Sequence, residues 1–143
     1  AIHNISTDTQ DPPAFDTLVA VRQAEGANPL ANDASVLAQQ QRQAYPWVQT
    51  LKVPTNPGIV LNQAVSVLED LGLEVVNVSE EQGIAEATDT TFWFGFKDDV
   101  VIRVRENAEG GSLVDVRSVS RVGRSDLGVN AKRIGAILQG LRG

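Results

Sequence analysis

Residues 112–133, SLVDVRSVSRVGRSDLGVNAKR, run from a strand through a polar turn into a helix, and that passage decides the fold. Val114 and Val116 alternate with Asp115 and Arg117, the period-two pattern of a strand with one buried face. Residues 121–126, RVGRSD, break the alternation, and Ser125 or Asp126 is placed to cap a following helix by accepting its free N–H groups. From Asp126 to Leu141, the residues Leu127, Ala131, Ile134, Leu138 and Leu141 fall on one stripe, with Lys132 and Gln139 opposite. Gly128 and Gly135 each cost about 1 kcal/mol relative to alanine inside a helix, so they mark close packing or a late start.

Upstream, Ile84 to Thr91 and Val100 to Arg105 alternate, Leu73 to Val78 is apolar and β-branched, and 80–83 and 107–111 read as turns. The aromatic run Phe92 to Phe96 reads as an edge that covers the core. Asn56-Pro57 starts a helix, since asparagine caps and proline at the first turn loses no needed N–H. Its stripe is Leu61, Ala64, Val65, Leu68 and Leu71, and Gly72 stops it. Trp47 to Val53 reads as a strand with uncertain faces, because Val48 and Leu51 are out of phase. Residues 1–46 read as an irregular arm plus a short helix from about Ala34 to Ala44 capped by Asp33, with Phe15, Leu18, Val19 and Val21 pinning the arm to the rest.

The expected fold is therefore α+β: a two-layer sandwich with a curved antiparallel sheet and helices on one face, in strand, helix, four strands, helix order. That order resembles the TATA-binding-protein-like topology, an analogy of fold that carries no function. Residues 47–143 form the core domain and 1–46 an arm packing on it, one globular unit overall.

The 143 residues include no cysteine and one histidine, so neither a thiolate nucleophile nor the usual zinc and two-histidine iron sites can be built from one chain. A serine triad would depend on His3, in the arm, and there is no G-x-S-x-G elbow, Walker loop or G-x-G-x-x-G fingerprint. No cofactor is expected. Residues 1–110 hold 6 Lys/Arg against 16 Asp/Glu, and residues 111–143 hold 6 against 2, so positive charge gathers at the C-terminal end. With net charge −6 and seven aromatics, a nucleic-acid partner is not expected. No apolar run is long enough to span a membrane, and the absence of methionine implies that either an initiator or a longer N-terminal region was removed before Ala1.

Asp98 and Asp99 are the one carboxylate pair that invites an acid–base reading, but as strand neighbours they point to opposite faces. Asp99, Arg103, Arg105, Asp115, Arg117 and Arg121 share a face if both strands stay regular. They form either a ladder of cross-strand ion pairs or, with the helix start at Ser125 and Asp126, an anion site.

Residues 3–8 (HNISTD), 12–15 (PPAF), 41–46 (QRQAYP) and above all 115–130 (DVRSVSRVGRSDLGVN) resemble the bacterial family known as domain of unknown function 1499. Asp98-Asp99 before a strand adds to the likeness, which covers nearly the whole chain. The resemblance implies an envelope protein whose precursor carries an N-terminal membrane segment or export signal, and it assigns no activity to any residue here. The cysteine-containing N-terminal motif of one branch of similar proteins is missing.

The function expected is a non-enzymatic, extracytoplasmic binding or accessory domain for a small anionic or lipid-like ligand or an envelope protein partner. Its expected ligand-binding residues are Asp99, Arg103, Arg117, Ser118, Ser120, Arg121, Ser125, Asp126 and Asn130. The alternatives are an enzyme with Asp98 or Asp99 as base and Arg121 as stabiliser, and a purely structural envelope domain in which the signature locks strand to helix.

Overall fold

A computed structural model describes residues 4–27, 34–90, 97–121 and 127–142, with only the backbone for 34–37 and 127. Among them are six strands and four helices: β1 (Asn4–Ser6), α1 (Thr17–Ala24), α2 (Ala34–Ala44), β2 (Leu51–Val53), α3 (Pro57–Asp70), β3 (Glu74–Ser79), β4 (Ile84–Thr90), β5 (Lys97–Glu106), β6 (Ser112–Ser120) and α4 (Leu127–Arg142). The strands form one antiparallel sheet in the order β1-β6-β5-β4-β3, and β2 also pairs with β6.

The core elements follow from local chemistry. Asn56 accepts from Gly58 N at 2.9 Å and Pro57 opens α3. Gly72, at φ +83°, closes α3 with Leu73 N donating to Leu68 O, a left-handed cap that a side chain disfavours. Val60, Leu61, Ala64 and Leu68 of α3 and Ala131, Ile134, Ile137 and Leu138 of α4 are buried against one face of the sheet. That face is built from Ala85 and Ala87 of β4, Val100, Ile102 and Val104 of β5, and Val114 and Val116 of β6. Lys132 and Gln139 are exposed. Burial of each of the Val, Leu and Ile side chains stabilises by roughly 1.5–3 kcal/mol, so this cluster is the main source of stability.

The arm departs from the expected irregular extension. Residues 4–6 are a strand, and residues 17–24 a helix, lying on the sheet face away from α3 and α4. The helices are therefore not confined to one face: Phe15 and Leu18 pack on Ile84, Val101 and Val119 from the other side. Val19 is partly buried there, whereas Val21 is exposed. The strand expected from Trp47 is shorter, Leu51–Val53, since 47–50 pair with no strand.

β1 and β2 lie end to end along one edge of β6, β1 opposite 117–119 and β2 opposite 112–114. Between them Asp115 accepts from Thr7 Oγ1 at 2.6 Å and Thr50 Oγ1 at 2.5 Å, joining the end of β1 to the start of β2. On the outer side of β1, Gln41 of α2 donates to Ser6 O at 2.7 Å and accepts from Ser6 N at 3.2 Å, as a neighbouring strand would. The run 92–96, His3, and the proposed caps Asp33, Ser125 and Asp126 lie outside the described residues.

Candidate functional site: two polar clusters on opposite faces of the sheet

The period-two alternation of β5 and β6 divides the expected site. Asp99 and Arg103 of β5 and Arg117 of β6, with Arg121 just beyond it, face the arm; Ser118, Ser120 and Asn130 lie on the side of α4. Of the nine residues expected to act together, the seven that are described are thus divided between the two faces. Asp98 and Asp99 point to opposite faces as expected, one to Arg133 and the other to the arm.

On the arm side, Asp99 is fully buried and surrounded by donors. Arg22 Nη1 of α1 reaches Oδ2 at 2.6 Å, Arg121 Nη2 reaches Oδ1 at 2.8 Å and its Nε reaches Oδ2 at 2.9 Å, and Thr88 Oγ1 donates to Oδ1 at 3.0 Å. Arg121 also donates through Nη1 to Glu25, near the end of α1. The bonds to Asp99, with a smaller contribution from Glu25, hold the Arg121 cation in its protonated form more firmly than usual, against the opposing effect of burial. Glu25 is in turn held below its ordinary value, first by its bond to Arg121.

A second group closes the other end of this face. Arg103 Nη2 donates to Asp8 at 3.1 Å and to Asp115 at 3.4 Å, and Arg105 Nη2 to Asp115 at 3.2 Å. Cross-strand ion pairing, one of the two arrangements open at the level of sequence, is thus present between β5 and β6. Arg117 instead meets neutral groups of the arm: Asn4 Oδ1 at 3.0 Å, Pro13 O at 3.1 Å and the face of Phe15 at 5.6 Å. Burial, with the charge of Arg22 adding to it, pushes Arg117 down to about 10, so it remains a cation at neutral pH.

Glu86 of β4, fully buried, accepts from the backbone N–H groups of Asp16, Thr17 and Leu18 at 2.7, 3.0 and 3.2 Å. It caps α1 from across the sheet, a task its own cap residue Asp16 leaves undone. Asn77 Nδ2 donates to its other side at 2.9 Å.

On the α4 side, Asn130 joins two strand serines, accepting from Ser118 Oγ at 2.5 Å and donating to Ser120 Oγ at 3.0 Å. Arg133, one turn on, bridges to Asp89 at 2.7 Å and Asp98 at 3.1 Å. This cluster fixes the start of α4 to the ends of β4, β5 and β6.

The sequence reading missed Arg22, Glu25, Asp8, Glu86 and Arg133. Glu86 carried a partial signal: it shares the parity of Ile84 and Thr88, which puts it on the same sheet face as the arginines of β5 and β6. Arg22 carried none while its helix went unread. Among the described residues no three His, Cys, Asp or Glu side chains are grouped to hold a metal ion, and no helix is long and apolar enough to cross a membrane.

A sheet tied on one face to its own arm through Asp115, Arg117 and Arg121, and on the other to α4 through Ser118, Ser120 and Asn130, is the architecture that the described part of the signature string builds. A model of the family described as protein of unknown function (DUF1499) matches residues 4–141, and the chain belongs to that family. A comparison with curated proteins returned no match.

Proposed function

We propose that this chain is a non-enzymatic, extracytoplasmic binding domain that holds a small lipid-like ligand between its arm and its sheet. One observation carries the reading. Arg103 Nε is buried and has no hydrogen-bond partner among the described residues. Arg103 also lines a recess of about 320 Å³ with Phe15 and Ile84 as apolar walls and Gln82, Asp11 and Asp16 as polar ones. Recesses of this size take small ligands, and a buried donor without an acceptor costs roughly 1–3 kcal/mol.

The same surroundings argue against an anion. Asp8, Asp115 and Asp11 lie 3.1, 3.4 and 3.7 Å from the Arg103 guanidinium, so its charge is already compensated. A neutral ester, amide or alcohol oxygen on an apolar body fits better. The enzyme reading is disfavoured because Asp99 has no exposure and its oxygens already accept from Arg22, Arg121 and Thr88. The envelope location, with an anchored precursor, rests on the family resemblance. We read the β2–α3–β3–β4–β5–β6–α4 core as TATA-binding-protein-like in topology, supported by its element order and the β2–β6 pairing.

Native mass spectrometry of the protein purified gently from its host tests the binding reading. Retained mass of a small amphiphile, lost in Arg103→Lys with an unchanged unfolding midpoint, supports it. An empty protein that also fails to shift the NMR signals of Phe15 and Ile84 with added monoacylglycerol leaves the structural reading, favoured by the dense pairing around Asp99.

A further inference from the structure

Apart from Ile5, which enters the main core, and Arg22, which meets buried Asp99, the arm makes the contacts of a peptide ligand. β1 adds to the edge of β6 as a short antiparallel strand, and Thr7 extends it, its N donating to Val116 O at 3.0 Å and its Oγ1 accepting from Val116 N at 2.9 Å. The chain then crosses the sheet face and ends in α1, eight residues long. Isolated helices below about 12–15 residues are marginal in water, and the first-turn N–H groups of this one are satisfied by Glu86 of the sheet. α1 therefore forms where it docks.

Charge points the same way. Residues 4–27 carry Asp8, Asp11, Asp16 and Glu25 against Arg22 alone, a net −3. Beneath them the sheet presents Arg103 and Arg105 to Asp8, and Arg121 and Lys97 to Glu25. Apart from Ile5, the arm's buried apolar residues form a small cluster of their own, separate from the large one that unites α3, α4 and the sheet. Losing the arm would leave that larger cluster almost entire.

We propose that residues 4–27 are an internal peptide ligand: the arm docks and leaves as a unit, and the surface beneath it accepts an extended acidic peptide segment of a partner protein in its place. The recognising features are the open edge of β6 at 117–119, the Arg103–Arg105 and Arg121–Lys97 pairs, and Glu86 as a ready cap for a short helix. Because Asp11, Phe15 and Asp16 of the arm line the Arg103 recess, exchange of the arm would dismantle that recess and release any ligand held in it.

The test uses the full chain with a protease site placed within residues 28–33. After nicking, a fluorescent synthetic peptide of residues 1–27 is titrated onto the complex and read by anisotropy, with far-UV circular dichroism following the fold. The labelled peptide is expected to replace the resident arm while the sheet stays folded. A peptide carrying Asp8→Asn and Glu25→Gln is expected to bind about tenfold more weakly at low salt, a gap that narrows in 1 M NaCl. Loss of all structure on nicking would overturn the proposal, as would a folded complex that never exchanges its arm. Equal affinity of the two peptides would overturn the acidic specificity.

Discussion

Arg22 of α1 and Asp99 of β5 meet at 2.6 Å with side chains 3% and 0% exposed, although 77 residues separate them in the chain. A charge pair so deeply enclosed is costly to break on one side only, because the survivor keeps its desolvation and loses its partner. Asp99→Ala removes the buried carboxylate to which both Arg22 and Arg121 donate and is expected to destabilise by about 3–5 kcal/mol in urea unfolding. A loss below about 1 kcal/mol would show that water reaches the site.

Glu86→Ala should act on the arm more than on the core. Three N–H groups at the start of α1 lose their acceptor, at a cost of about 1–2 kcal/mol. Hydrogen exchange is expected to quicken through residues 16–24 while α3 and β5 keep their protection. Uniform quickening would mean that the arm and the core open together.

Glu25 gives the arm an acid-sensitive fastening. Its folded-state pKa lies below the ordinary 4.5, chiefly through Arg121 and to a lesser degree Lys97, so its contribution is complete above that value and fades as pH falls through the folded one. Comparing unfolding midpoints of wild type and Glu25→Gln from pH 7 downwards, the difference should be present at pH 7 and vanish in acid. A difference that grows in acid would contradict the pairing.

Two adjacent glycines should differ sharply in tolerance. Both Gly110 and Gly111 have positive φ, but a Cβ on Gly111 would lie 2.1 Å from Val53 O, while one on Gly110 meets nothing within 4 Å. Gly110→Ala is expected to cost about 1–2 kcal/mol, the strain of the backbone region alone. Gly111→Ala should cost more and detach β2 from the end of β6, visible as lost protection at Leu51 and Val53.

What could be read from the sequence was what neighbouring residues decide among themselves. The stripe and caps of α3, the last helix, and the alternation of β4, β5 and β6 depend on contacts within an element or with a sheet next to it. β1 depends on a partner more than a hundred residues away, and α1 on a cap from β4, so neither left a local pattern. The site was half legible: its residue types were recognised, but Ser118 and Ser120 were pooled with Arg117 and Arg121 across a parity that places them on opposite faces. That separation was available from the period of the strand. The identity of the partners was not, because Arg22, Asp8 and Glu25 come from a segment whose conformation the sheet itself imposes.

The pair of hydrogen bonds between Gln41 and Ser6 has a consequence for how copies of this protein meet in a crowded solution. A sheet margin with bare N–H and C=O groups is a template for aggregation. Here one margin is made of two three-residue strands, with a side-chain amide seated where another chain would begin to pair. The other margin, β3, is interrupted by a register shift between Val75 and Asn77. Gln41 thus acts as a stopper against fibre-like growth, and it does so without spending a charge.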